Sequence, residues 1–217
     1  GRVVATGLGK HAVVATAVDA DGFVGTNSTV IRVKDADDKQ PPSISLDAAL
    51  FGAQLTTATA VRGSVFDVNL DQWRLEIARQ GSEDFTVLAE SDVPVSTGTL
   101  AIIDPATLSN GFYRLRLVAR DYAGRVSEVE TSVEVASATK VGQYLRSDVD
   151  FTAEIAGHLL DFSRQYDSFN RDIAGSFGQG WSFQMRDVDL QTDVPVTGSE
   201  DFNTYNPFRV GTRVVLT

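Results

Sequence analysis

Three observations predict an all-β chain built from sandwich modules. First, apolar and polar residues alternate with a period of two over many short runs, the signature of strands with one buried and one wet face. Second, clusters of Gly, Asp, Asn and Pro separate these runs and favour tight turns. Third, a hairpin recurs. Moved by 102 positions, Gly9 falls on Gly111, Ala17 on Ala119, Asp19 on Asp121, Gly22 on Gly124, Val24 on Val126, Thr29 on Thr131 and Val33 on Val135, with no gap. A period of roughly 100 residues is that of a β-sandwich module, not of a short solenoid repeat.

Taken in order, the chain opens on Gly1-Arg2-Val3-Val4, which reads as strand rather than as a signal peptide. Residues 9–33 form the first hairpin, two alternating runs joined by an Asp-x-x-Gly turn. The repeat assigns that hairpin to the last two strands of a sandwich. Residues 1–35 are therefore expected to be the C-terminal hairpin of a truncated module. A linker follows at 36–42, in the stretch KDADDKQPP, whose two prolines forbid helix and stiffen the chain. Asp35, Asp37 and Asp38 are the candidate calcium ligands, because carboxylates are hard oxygen donors and the stretch lies at a module joint. Three local carboxylates fall short of the roughly 6–8 oxygens calcium takes, so the linker is expected to be a solvated acidic connector.

Residues 43–137 supply a complete module. The expected strands are Ser43–Asp47, Ala58–Phe66, Asp71–Arg79, Asp84–Glu90, Thr97–Asp104, Phe112–Asp121 and Val126–Val135. In the third, Trp73, Leu75 and Ile77 face one way and Gln72, Arg74 and Glu76 the other. In the sixth, Tyr113, Leu115, Leu117 and Ala119 point inward, and Arg114, Arg116 and Arg120 outward. Seven short strands in this length fit an immunoglobulin-like or fibronectin-like sandwich. Trp73 is placed where such sandwiches bury a tryptophan, and Leu108 to Tyr113 has the form of a tyrosine corner, whose hydroxyl bonds to upstream backbone. Asp67, Asp121 and Asp19 lie near strand ends. They have the chemistry of metal ligands, but the expected role is to accept turn amides.

Residues 138–217 change character. Val149, Phe151, Ala153 and Ile155 alternate with acidic and polar residues, Ala156-Gly157 reads as a turn, and His158–Gln165 as the returning strand. Next come Arg164, Tyr166, Asp167 and Ser168, then a glycine-rich aromatic stretch with Phe177, Gly178, Gly180, Trp181 and Ser182. Residues 189–205 are polar and read as an exposed loop or hairpin, and Phe208–Leu216 as a strand pair or a strand kinked at Gly211. The Arg-x-Tyr-Asp-Ser and Gly-x-Gly-Trp-Ser runs resemble the signature that opens the shell of the RHS/YD-repeat proteins, over residues 140 to 217. The resemblance implies that sandwich modules lead into the first strands of a large β-shell (138–217) enclosing a C-terminal effector. It also implies a secreted or surface-delivered bacterial protein. The chain carries one such signature and no following run of YD repeats. Within this stretch Arg164 is expected to pair with a carboxylate such as Asp167, and Phe177 and Trp181 to be buried.

Composition narrows the function classes. The 217 residues carry a net charge of −10, which disfavours binding to a nucleic-acid backbone or an anionic membrane surface. No apolar run approaches the roughly 20 residues of a membrane helix. The absence of cysteine excludes thiol catalysis and thiolate metal sites. His11 and His158 lie in different modules, and no nucleophile-elbow, phosphate-loop or zinc motif occurs. The expected role is a non-catalytic structural section whose partners are the neighbouring modules and the rest of the shell. It needs no cofactor apart from the calcium alternative. The competing reading is a cell-surface adhesin or carbohydrate-binding sandwich array, with a protein or glycan partner.

Overall fold

A computed structural model describes residue 4 and residues 7–183 and 185–216. The strand read at Gly1–Val3 lies outside these residues, and Val4 belongs to no strand. The chain is all-β. Its strands are β1 (Gly9–Val18), β2 (Val24–Val33), β3 (Ser43–Leu46), β4 (Gln54–Leu55), β5 (Thr59–Phe66), β6 (Leu70–Arg79), β7 (Thr86–Ser91), β8 (Val95–Ile103), β9 (Gly111–Asp121) and β10 (Val126–Val135), followed by β11 (Leu145–Ile155), β12 (His158–Asp167), β13 (Ala174–Gly175), β14 (Gly178–Gln179), β15 (Trp181–Phe183), β16 (Leu190–Thr192) and β17 (Val214–Leu216). Among the described residues the helical elements are short 3₁₀ turns, and no helix is long and apolar enough to cross a membrane.

Strands β3 to β10 make the sandwich. One sheet runs β3-β5-β8 and the other β4-β10-β9-β6-β7. Their facing sides enclose a single core in which Val61, Val65, Leu75, Leu115, Leu117, Val133 and Val135 have no exposed surface. Alternation places them there, since a strand turns successive side chains to opposite faces. Trp73 is 5% exposed and donates its indole N–H to the Val93 carbonyl at 2.9 Å. The Tyr113 hydroxyl donates to the Ser109 carbonyl at 3.0 Å, as the tyrosine corner requires. Strand β4 was not expected. It is a two-residue parallel bridge to Glu134 and Val135, too short to carry any periodicity. Glu76 also departs from the wet-face reading. It is buried because Arg116 lies over it, with Nη2 and Nε at 2.8 and 3.0 Å from Oε2, and Arg116 in turn stacks 3.6 Å over the Phe85 ring.

The internal repeat is visible in three dimensions. Gly9 pairs with Val33 and Val18 with Val24, the same register in which Gly111 pairs with Val135 and Arg120 with Val126. In both hairpins the turn aspartate accepts two backbone amides. Asp19 takes those of Asp21 and Phe23, and Asp121 those of Ala123 and Arg125. The glycines Gly22 and Gly124 adopt φ of +88° and +83°, a region open to glycine without steric cost. The two hairpins differ in what covers them. Ala15 and Ala17 are exposed, whereas their counterparts Leu117 and Ala119 are 0% and 1% exposed under the opposing sheet.

The described residues between 138 and 216 form three separate ladders: β11-β12-β15, β13-β14 and β16-β17. Ala156 and Gly157, at φ +51° and +78°, make the tight turn between β11 and β12. The β16–β17 ladder docks on the sandwich. Gln191 Oε1 accepts the Phe112 amide at 2.8 Å, and Arg213 reaches Glu134 and, at 2.8 Å, the Gly52 carbonyl.

Candidate functional site

Two turns and the linker converge at the head of the sandwich. Asp38 comes from the linker, Asp67 follows β5, and Asp121 ends β9. One carboxylate oxygen from each lies within 4.8 Å of the others. Asn69, fully buried, ties the linker to this point. Its Oδ1 accepts the Asp35 amide at 2.6 Å, while its Nδ2 donates to the Asp35 carbonyl at 3.0 Å and to Asp38 Oδ2 at 2.8 Å. Arg125 supplies the one guanidinium among these contacts, with Nε 2.5 Å from Asp121 Oδ2 and Nη2 3.0 Å from Asp38 Oδ2.

The three carboxylates are held differently. Asp121 is 1% exposed and is satisfied by two turn amides and Arg125. The Gln40 amide and, after it, the Asn69 side chain and Arg125 hold the Asp38 carboxyl below its ordinary pKa, against the pull of partial desolvation. Asp67 goes the other way. Burial pushes its pKa up, the Asn69 amide lowers it, and the charges of Asp38 and Asp121 raise it further. Of the three linker aspartates named as candidate calcium ligands, Asp38 alone enters this group. Asp37 is exposed, and Asp35 Oδ1 accepts the Asp37 amide at 2.9 Å. The physical reason is that the linker's second partner is the sandwich head rather than its own neighbouring carboxylates. The turn role expected for Asp67, Asp121 and Asp19 is also present, so each caps a turn.

The aromatic signature lies elsewhere, on β12 and β15. Tyr166 packs between Tyr144, at 6.1 Å, and Trp181, at 5.3 Å between centroids. Arg164 stands 5.4 Å over the Trp181 ring. Its carboxylate neighbours are Asp150, at 3.4 Å, and Asp148, at 3.9 Å, both on β11, and not Asp167. Asp167 points into the turn after β12 and accepts the Phe169 amide and the Asn170 and Gln143 side-chain amides. Ser168 Oγ accepts the Tyr144 amide at 2.9 Å. The expected burial of Phe177 is overturned. It is 49% exposed, because its only ring partner among the described residues is Phe183, in an edge-on contact at 6.1 Å, while Trp181 is half-buried. Gly178 and Gly180 take the positive φ that the turn demands, +107° and +74°.

Sequence reasoning did not single out Asn69, Asp71, Arg125, Asp187 or Arg213. The repeat offered one signal: Asp121 matches Asp19, and a side chain recurring at the same turn marks a place that the fold uses. An open cleft of about 750 Å³ lies between the sandwich and residues 168–173, lined among others by Arg79, Tyr113, Phe169 and Arg171. His11 Nε2 is bonded to the Gly7 carbonyl at 2.7 Å and His158 is exposed on another sheet.

The fold thus defines an all-β protein carrying a β-sandwich. No family model matches the chain and no curated protein matches it. Two solved structures are similar in part. One is the endo-β-1,4-mannanase from Thermotoga petrophila, 13% identical, with a TM-score of 0.32 over 46% of this chain and 21% of that one. The other comprises extracellular cadherin domains 1–4 of protocadherin gamma B7, 15% identical, with a TM-score of 0.25 over 85% of this chain and 44% of that one. The chain thus spans less than half of either. Likeness at these levels carries no argument about activity.

Proposed function

We propose that the chain is a non-catalytic structural section of a large secreted bacterial protein of the RHS/YD-repeat kind, holding sandwich modules against the opening strands of a shell. One observation carries the reading: both ends of the sandwich are bound by polar side chains from the flanking segments. At the head, Lys10 and Arg32 of the first hairpin reach Asp71, with Lys10 Nζ donating to the Asp71 carbonyl at 2.9 Å and Arg32 Nε 3.1 Å from Oδ1. At the foot, Arg213 and Gln191 grip Glu134 and the Phe112 amide. Such contacts fix relative orientation, the property a connector between modules needs.

Two further features support it. The first hairpin has an uncovered apolar face whose counterpart is sealed, as expected of the last two strands of another sandwich. Residues 145–183 expose aromatic surface, with Phe151 57% exposed beside the stacked Phe162 at 4.3 Å, a face that further shell strands would cover. The test is limited proteolysis of the full chain with Asp71 and Arg213 both changed to Ala. Cuts within 34–42 and 185–216, with 43–135 left intact, are the expected result. A double variant as resistant as the parent would overturn the connector reading.

The adhesin reading draws on the cleft lined by Tyr113, Phe169 and Arg171, where an aromatic face and a guanidinium would suit a sugar. Glycan binding lost in Arg171→Ala, with protease resistance unchanged, would favour it.

A further inference from the structure

We infer that the joint at the head of the sandwich is an ionic-strength-sensitive hinge, in which the linker belongs to the sandwich and the first hairpin swings about Lys34. The inference deepens the connector reading and rests on it for treating residues 9–33 and 43–137 as separate modules. An acidic linker between modules is ordinarily the mobile part. Here it is clasped. Asn69 has no exposed surface, and its side-chain amide engages both polar groups of the Asp35 backbone, accepting from the N–H at 2.6 Å and donating to the carbonyl at 3.0 Å. Arg125 holds the chain three residues on, with Nη1 donating to the Asp38 carbonyl at 3.3 Å and Nη2 to Asp38 Oδ2 at 3.0 Å. Pro42 is buried where the linker enters β3.

The ties between the hairpin and the same sandwich are of another kind. Lys10 Nζ lies 2.8 Å from Asp92 Oδ2 and donates to the Asp71 carbonyl, and Arg32 Nε lies 3.1 Å from Asp71 Oδ1. Both cations end long side chains, 30% and 53% exposed, and Asp92 is 49% exposed. Ion pairs open to water weaken with salt, because the Debye length falls from about 10 Å at 0.1 M to about 3 Å at 1 M. The Asn69 contacts join a neutral, buried amide to backbone, so that screening leaves them in place. The pair between Arg125 and Asp38 lies between these cases, at 24% and 14% exposure, and buried pairs are screened much less.

Lys34 is where the two kinds of contact meet. Val33 is the last residue of the β1–β2 ladder and Asp35 the first that Asn69 holds, so one exposed residue separates them. The repeat supports this division. A shift of 102 positions places Lys140 on Asp38, and Lys140 likewise reaches back into this sandwich, its Nζ donating to the Pro105 and Leu108 carbonyls at 2.9 and 2.6 Å. The sandwich thus holds both of its linkers. The consequence is a module orientation that is locked at low salt and released at high salt, while the linker keeps its place.

The full 217-residue chain has no cysteine, so spin labels can be attached at introduced ones alone. Ala20→Cys with Ser96→Cys measures hairpin to sandwich, and Asp37→Cys with Ser96→Cys measures linker to sandwich; all three positions are exposed. Between about 20 mM and about 1 M sodium chloride the first distance distribution should widen about twofold or more, and the second should keep its width. Lys10→Gln with Arg32→Gln should give the wide first distribution already at low salt. Arg125→Gln and, independently, Asn69→Ala should widen the second. Near-ultraviolet circular dichroism of Trp73 shows whether each variant has folded, and Arg125→Gln carries this arm if Asn69→Ala does not fold. A first distribution that stays narrow at high salt overturns the hinge and leaves the connector reading standing. One that is wide at every salt concentration overturns both. A second distribution that widens with salt in the parent chain puts the hinge inside the linker and overturns the inference.

Discussion

Gly180 lies directly beneath the ring of Tyr166. A Cβ built on Gly180 would stand 2.6 Å from Tyr166 Cε2 and 3.2 Å from the Arg171 Cα, and the residue sits at φ +74°. Tyr166 pairs with Trp181 across β12 and β15, so the turn and the aromatic stack occupy the same few ångströms.

Gly180→Val therefore combines backbone strain with a clash against a packed ring. The expected loss is about 1–3 kcal/mol for the β11-β12-β15 sheet. Gly178 is the control. It also has positive φ, +107°, but nothing stands within 4 Å of its Cβ position. Gly178→Ala should cost only the backbone part, about 1 kcal/mol. Amide hydrogen exchange of residues 163–167 would rank the two variants. Equal protection in both would show that Tyr166 simply moves aside.

Trp73→Ala should destabilise the sandwich by about 3–5 kcal/mol, from lost burial and the cavity left behind. The indole also leaves the Val93 carbonyl without its donor. A denaturant melt of the full chain followed at the sandwich amides checks it. A loss below about 1 kcal/mol would remove Trp73 from the core.

The sandwich was the most legible part of the chain because its signal is local. Alternation in β6 and β9 named Trp73, Leu75, Leu115 and Leu117 as core without reference to anything distant, and the 102-residue repeat predicted the second hairpin's twin. What sequence could not show was which turn stands beside which linker. Asp38, Asp67 and Asp121 were each noticed for their chemistry, yet periodicity carries no information about contacts between residues 29 and 54 positions apart. Arg164 shows the same limit at shorter range. Asp167 is nearer in sequence, but β12 is antiparallel to β11, so Asp148 lies directly across from Arg164. Phe177 was misplaced for a different reason. Aromatic composition signals burial only where another layer arrives to cover the ring, and in these residues only Phe183 does.

Tyr113→Phe removes the corner hydrogen bond to the Ser109 carbonyl and should cost about 1 kcal/mol. Burial, the largest influence, pushes the Tyr113 hydroxyl above its ordinary value of 10.0. The folded state therefore keeps this proton when the unfolded state has begun to lose it. The resulting stability is complete below pH 10 and is lost as pH rises through the folded value. An alkaline melt series should show a steeper decline in the parent chain than in Tyr113→Phe. Parallel curves would mean that the hydroxyl titrates as it does in water.

Asp71 joins the first hairpin to the sandwich. It is 7% exposed and meets Lys10 and Arg32 from the hairpin and Arg120, at 2.9 Å, from β9. Asp71→Asn should loosen the hairpin by about 1–3 kcal/mol and leave the sandwich core nearly as protected as before. Faster exchange confined to β1 and β2 is the expected pattern, and high salt should narrow the difference between parent and variant. Uniform loss across β3 to β10 would instead make Asp71 a core residue of the sandwich.

Asp187 holds the glycine-rich knot closed. Its carboxylate accepts the Ser176 amide and hydroxyl, at 2.8 and 2.6 Å, and the Phe183 amide at 2.8 Å. Close beside it the backbone is so tight that a Cβ on Gly175 would fall 2.0 Å from the Trp181 carbonyl oxygen. The Ser176 hydroxyl, followed by the two backbone amides, holds the Asp187 carboxyl below its ordinary value of 3.8. With a depressed folded value, the stabilisation is present above the unfolded pKa and disappears as pH falls through the folded one. Asp187→Asn should therefore expose the Ser176 and Phe183 amides to exchange at neutral pH, as acid alone does in the parent chain. An asparagine oxygen still accepts hydrogen bonds, but without the charge that makes these three contacts strong. If the two amides stay protected in Asp187→Asn at neutral pH, backbone packing around Gly175 holds the knot and the carboxylate is incidental.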